Sequence, residues 1–157
     1  MRGRAWEPSA RSARPSLRDA RTAERLPVHE TKLRVRYSET DAQGVVNNAN
    51  YLSYFEIGRV EWLRAAGLSY KDLERQGYGF VVVESHAFYR RAARFDDELT
   101  LRTELTESKR ASLSFGYTIL RDEEVVATGS TRHGCLDLST GRPRRMPPEL
   151  DAYRTGV

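Results

Sequence analysis

The chain reads as short runs of period two, interrupted once by a long run at helical spacing. From Thr31, "TKLRVRY" alternates and puts Leu33, Val35 and Tyr37 on one face, which predicts a short strand. The loop "SETDAQGVV" follows. From about Ala49 to Ala66 the period changes. At about 100° per residue, Tyr51, Leu52, Phe55, Gly58, Trp62, Leu63, Ala65 and Ala66 cover nearly half the circumference of a helix. Only Arg59 intrudes on that face, while Glu56, Glu61 and Arg64 lie outside it. Asn47 or Asn48 fits the N-cap, because an asparagine side chain accepts from an otherwise unpaired helix amide. Gly67 fits the stop. A face this wide suits a helix gripped by a curved sheet, with Gly58 allowing close backbone approach.

"SYKDLERQGY" predicts a shorter helical turn. Four strand-like segments follow, at about 80–91, 98–107, 112–121 and 124–138. Leu99, Leu101, Thr103 and Leu105 alternate with polar neighbours, as do Leu113, Phe115, Tyr117 and Ile119. That alternation indicates antiparallel strands with one buried face. "RDEE" between the last two reads as a tight hairpin turn. The order of elements predicts an α+β domain over residues 30–150, with an antiparallel sheet of about five strands round one long central helix.

Composition narrows the classes. A chain of 157 residues, 39% hydrophobic, fits one domain with a sizeable core. No run approaches the roughly 18 consecutive apolar residues of a membrane span. The single cysteine, Cys135, excludes an internal disulfide framework and points to a reducing cytoplasm. The net charge of +4 is uneven: residues 1–30 hold seven arginines and four acids, and the remainder is left at +1. A nucleic-acid binder carries its basic excess on the folded domain, so no nucleic-acid partner is expected. Residues 1–29, rich in Arg, Ser, Ala and Pro, read as a disordered and dispensable extension without the apolar core of a secretory signal. Residues 151–157 read as a C-terminal tail.

The stretch "TDAQGVVNNANYLSYFEIGRVEWL" raises the chemical question, because it sets a lone acid, Asp41, seven residues ahead of Asn48 at the mouth of the helix. It resembles the hot-dog-fold acyl-CoA thioesterases of the 4-hydroxybenzoyl-CoA thioesterase type. The pattern runs through Asp41, Gly44, Val45–Val46, Asn47–Asn48, Ala49 and Tyr51, followed by Phe55–Glu56. "YRRAARFDDELTLRTELTESKRASLSFGY" and "ATGSTRHGCLDLSTGRPRRMP" are similar to later parts of the family, so the resemblance covers about residues 32–148.

The resemblance implies a sheet wrapped round the helix, a homodimer or homotetramer with sites at the subunit interface, and hydrolysis of an acyl-CoA thioester. Coenzyme A is then part of the substrate and no cofactor is expected. Thioester hydrolysis needs a group that attacks or activates water, and a group that stabilises the developing oxyanion. The resemblance gives Asp41 the first role, as nucleophile through a mixed anhydride or as general base towards water. It gives the second to the backbone N–H of Asn48 at the helix N-terminus. Where the family often has histidine or tyrosine, this chain has Asn48, which is neither acid nor base. A backbone role survives that change, whereas a histidine-assisted one does not. Gly44, Val46, Asn47, Tyr51 and Glu56 are implied as substrate-binding. Lys109 and Arg110 in "ESKRAS" are implied as coenzyme A contacts, with Arg90, Arg91 and Arg94 as alternatives.

Each candidate has a plainer role. Asp41 suits a turn, Asn47 and Asn48 suit capping, Glu56 suits pairing with Arg59 on the helix surface, and Tyr51 suits the core. His86, His133 and Cys135 show no metal-ligand spacing and read as strand residues. Phe55, Val60 and Phe88 are candidates for an acyl tunnel. There is no Gly-x-Ser-x-Gly elbow. A hot-dog dehydratase would want a histidine between Thr31 and Ser85, and there is none. A thioesterase for acyl-carrier-protein substrates and a non-catalytic acyl-CoA-binding module are the remaining alternatives. Asp41 argues against the latter.

Overall fold

A computed structural model describes residues 27–155. The N-terminal stretch read as an extension lies, up to residue 26, outside the described residues. The elements are β1 (Val28–Arg34), α1 (Asn50–Ala65), α2 (Tyr70–Arg75), β2 (Tyr78–Tyr89), β3 (Glu98–Ser108), β4 (Ser112–Arg121) and β5 (Glu124–Asp137). The five strands form one antiparallel sheet in the order β1-β3-β4-β5-β2, leaving β1 and β2 as its edges. Register shifts at Val82/Glu84, Leu105/Glu107 and Ile119/Leu120 are the local irregularities by which such a sheet curves.

The period-two reading holds in β3 and β4. Leu99, Leu101, Thr103 and Leu105, and Leu113, Phe115, Tyr117 and Ile119, are all buried. Against them α1 lays Tyr51, Tyr54, Phe55, Gly58, Trp62 and Leu63. Phe55 stacks on Tyr117 with centroids 4.4 Å apart, and Trp62 meets Phe115 edge-on at 5.5 Å. Gly58 is required: a Cβ there would collide with Thr103 Oγ1 and press on Leu101. α1 ends in a Schellman arrangement. Gly67 adopts φ +85°, Leu68 N–H donates to Leu63 O at 2.9 Å, and Gly67 N–H donates to Arg64 O at 3.0 Å.

Several expectations need correcting. Leu52 and Ala65 are exposed, while Tyr54, assigned no role from spacing, is buried. β1 begins at Val28, and Tyr37 stands 77% exposed in a 3-10 turn. The alternation of "TKLRVRY" therefore stops two residues early. The C-terminal boundary moves too: a 3-10 turn over Pro148–Tyr153 buries Leu150 and Tyr153, and Tyr153 packs edge-on against Trp62 at 5.3 Å. Thr155 N–H donates to Ser108 O at 2.8 Å. This part of the supposed tail belongs to the core's lining. No helix among the described residues is long and apolar enough to cross a membrane.

Candidate active site

The loop between β1 and α1 is long but densely bonded. Asp41 opens a tight turn, accepting from Gly44 N–H at 2.9 Å through its carbonyl and donating its own N–H to Val45 O at 2.9 Å. Its Oδ1 accepts from Gln43 N–H at 2.8 Å. Gly44 closes the turn at φ +76°, which a side chain would strain. Arg94 Nη1 donates to the Gly44 carbonyl at 3.3 Å. Asp41 is thus a turn residue, yet only one of its oxygens is used: Oδ2 has no hydrogen-bond partner among the described residues. The turn role and a reactive role are compatible.

The regular helix takes Ala49 as its N-cap, without a side-chain bond, and Asn47 instead caps the turn that leads into it. The Asn47 Oδ1 accepts from Ala49 N–H at 2.9 Å, and its carbonyl accepts from Asn50 N–H at 2.9 Å, so a tightened turn starts two residues ahead of the regular helix. Asn48 is left differently placed. Its carbonyl accepts from the Tyr89 hydroxyl at 3.0 Å, but its N–H donates to no described residue. It is a free amide at the positive end of a 16-residue helix. Asp41, Val46, Asn48 and Tyr51 line one open cleft of about 670 Å³, with Tyr89, Arg90 and Arg91 from the end of β2 opposite them. Tyr51 is buried and packs edge-on against Tyr89 at 5.2 Å.

The loop is fixed by a residue with no sequence signal. Glu39 is buried, and its carboxylate accepts from Arg36 N–H and Arg36 Nε, each at 2.9 Å, and from the Tyr54 hydroxyl at 2.7 Å. Its carbonyl accepts from Asn47 N–H at 2.9 Å and Asn50 Nδ2 at 2.8 Å. Burial acts to raise the Glu39 pKa, but these donors outweigh it and the net shift is downward. Glu39 therefore holds both Asn47 and the helix start in register with the chain two residues before Asp41.

The remaining candidates fall elsewhere. Gly44 and Asn47 support the loop and do not line the cleft. Glu56 is exposed and pairs with Arg59 at 3.6 Å, eight residues beyond Asn48, or roughly 12 Å along the helix. Lys109 and Arg110 sit in the β3–β4 turn, while Asp41 lies by the start of β3. The eleven residues of β3 separate them by about 30 Å within one chain. The alternatives Arg90 and Arg91 are the cations at the cleft. His86 is exposed, whereas His133 and Cys135 are buried. Burial pushes the Cys135 thiol up. Among the described residues no group of three or more His, Cys, Asp or Glu could hold a metal ion.

Comparison with known proteins bears on the fold and the family. Residues 35–153 match the model of the thioesterase-like superfamily. The acyl-CoA thioesterase YbgC of Haemophilus influenzae is 36% identical over 121 residues, covering 76% of this chain and 89% of that protein. Among solved structures, a hypothetical protein from Thermus thermophilus is 40% identical with a TM-score of 0.74, covering 79% of this chain and 93% of that one. A DHNA-CoA thioesterase from Staphylococcus aureus is 29% identical with a TM-score of 0.77, covering 80% and 88%. With that match running from the end of β1 through the C-terminal turn, the chain belongs to the thioesterase-like superfamily, has the hot-dog fold, and is a thioester hydrolase.

Proposed function

We propose that the chain hydrolyses acyl-CoA thioesters to the free acid and coenzyme A, with Asp41 as nucleophile or general base and the Asn48 N–H as oxyanion donor. One observation carries this reading: an acid with one unengaged oxygen and an unpaired helix-start amide line the same cleft. The thioester carbonyl oxygen accepts from Asn48 N–H, where the helix dipole favours negative charge. By the nucleophilic route, Asp41 attacks the carbonyl carbon, the thiolate leaves, and water hydrolyses the resulting anhydride. By the general-base route, Asp41 takes a proton from a water that attacks instead. Neither route needs a side-chain acid at position 48.

The exposed edge of β2 supports a homodimer. Val81, Val82 and Val83 stand 38–48% exposed along it, an edge that favours pairing with another strand. Antiparallel pairing about its midpoint, between Val83 and Glu84, sets Tyr78 of one copy against Tyr89 of the other. The cleft at Tyr89 is then completed by the second copy. Arg90 and Arg91 meet the coenzyme A phosphates from within the chain that carries Asp41. Lys109 and Arg110 reach a nucleotide only at another copy's site.

The test is thiol release by the purified chain from short-, medium- and long-chain and aromatic acyl-CoAs, beside the same acyl groups on a carrier protein. Turnover on the coenzyme A esters supports the reading. Turnover on carrier-protein esters alone moves the donor, and none on either points to a binding module.

A further inference from the structure

A second cavity of about 250 Å³ lies between α1, α2 and the sheet. Its apolar walls are Val60, Leu63, Tyr70, Phe80, Leu113 and Phe115, and its polar members are Glu56, Arg59 and His133. Arg59 is the cation that breaks the apolar face of α1, and its side chain is only 16% exposed. The nearest carboxylate, Glu56, stands 3.6 Å away and is itself 68% exposed, a weak counter-charge. No carboxylate or carbonyl among the described residues accepts a hydrogen bond from the guanidinium; its acceptor is the neutral Tyr117 hydroxyl, and its charge also acts on the Tyr70 hydroxyl. His133 cannot balance it, because it is a neutral donor-acceptor engaged through Nε2 with Thr131 Oγ1 at 2.7 Å. Thr131 in turn meets the Tyr117 hydroxyl at 2.6 Å. Burial and the Arg59 charge together hold the His133 pKa down at about 4.

The cavity is thus an aromatic-walled box with one cation lacking a buried counter-charge. A guanidinium withdrawn from water is stable only with an acceptor, and its planar fork matches a carboxylate. We propose that this cavity binds a compact carboxylate on a short or aromatic body, held through Arg59, and that in catalysis the ligand is the far end of an acyl group. The size and ring lining select the body, and the Tyr70 and Phe80 rings in its wall stand 5.9 Å apart. Along its own α1, Arg59 is eleven residues from Asn48, about 16 Å, too far for a compact acyl group. Phe80, however, lies at the end of β2 that the pairing described above sets beside the other copy's cleft. The substrate role rests on that reading of function; the carboxylate site itself does not.

The experiment is titration of the intact chain with benzoate and with benzamide, its uncharged counterpart, by calorimetry. Benzoate is expected to bind at least tenfold more tightly, Arg59→Met to remove the difference, and Arg59→Lys to keep part of it. Wild-type protein that binds benzoate no better than benzamide overturns the proposal, with no variant needed. A second arm compares kcat/KM for succinyl-CoA and butyryl-CoA. A tenfold fall in that ratio on Arg59→Met identifies the ligand as the acyl end of the substrate. An unchanged ratio with benzoate binding intact identifies it as a free carboxylate. Absence of hydrolysis on every thioester would defeat the functional reading while leaving the benzoate result to stand or fall alone.

Discussion

The Tyr54 hydroxyl donates to Glu39 Oε2 at 2.7 Å inside the protein, and this bond ties helix α1 to the loop that carries Asp41. Both residues are buried, and desolvation together with the Glu39 charge pushes the Tyr54 pKa upward. The tyrosine therefore stays a neutral donor at any working pH. Removing Glu39 strands the buried Tyr54 hydroxyl, a larger loss than the bond alone, while the exposed Arg36 side chain returns to water. Glu39→Ala is expected to cost about 1–3 kcal/mol, read as a melting temperature several degrees lower, and to slow hydrolysis. Tyr54→Phe, which leaves Glu39 its two Arg36 contacts, is expected to cost less. Equal melting temperatures for Glu39→Ala and wild type contradict this account.

Gly58 predicts a coupled pair. Ala is the better helix former by about 1 kcal/mol, yet its Cβ would strike Thr103 Oγ1. Gly58→Ala is expected to destabilise by about 1–3 kcal/mol despite that propensity. Thr103 Oγ1 is buried without a hydrogen-bond partner among the described residues, so it is expendable. Adding Thr103→Ala to Gly58→Ala should recover part of the loss in urea unfolding. Strict additivity of the two changes would contradict the contact.

Acid sensitivity follows from His133. Unfolded, it protonates near 6.5; folded, near 4. Between those values the unfolded chain holds the extra proton, so falling pH favours unfolding. The contribution is complete above pH 6.5 and lost progressively towards pH 4, about 3 kcal/mol in all. The Glu39 carboxylate adds to the same trend at lower pH, because its pKa is depressed on folding and its contribution is lost as pH falls through the folded value. His133→Gln should flatten the stability profile between pH 6.5 and 4. A profile as steep as that of wild type contradicts the assignment.

The oxyanion role at position 48 belongs to the backbone, which separates two substitutions. Asn48→Ala keeps the N–H and should retain most of the turnover. Asn48→Pro deletes it, at a helix start where proline is tolerated, and should reduce kcat by about 10²-fold. Loss in the alanine variant equal to that in the proline variant would place the role in the side chain instead.

The sequence carried the sheet and helix because their signals are periodic. Leu99 to Leu105 and Leu113 to Ile119 repeat every second residue, and Gly67 ends the helix where a left-handed residue is needed. The motif Asp41 to Tyr51 was legible as a unit through resemblance, and the structure gathers Asp41, Val46, Asn48 and Tyr51 at one cleft. Glu39 was not legible, because a carboxylate beside a loop looks solvated until its donors converge from Arg36 and Tyr54. Tyr89 was missed for a similar reason: its bond to the Asn48 carbonyl spans 41 residues of sequence. Lys109 and Arg110 are close to Asp41 in neither sequence nor space within one chain, a separation that a pattern read along the sequence does not encode.

The most direct measurement is the steady-state rate of thiol release from an acyl-CoA that the wild type hydrolyses, compared with Asp41→Asn. Asparagine preserves the turn through its own side-chain oxygen but can neither attack nor accept a proton. The account predicts a fall in kcat on the order of 10³-fold with the melting temperature unchanged. Turnover within a few-fold of wild type would remove Asp41 from the chemistry and the central claim with it.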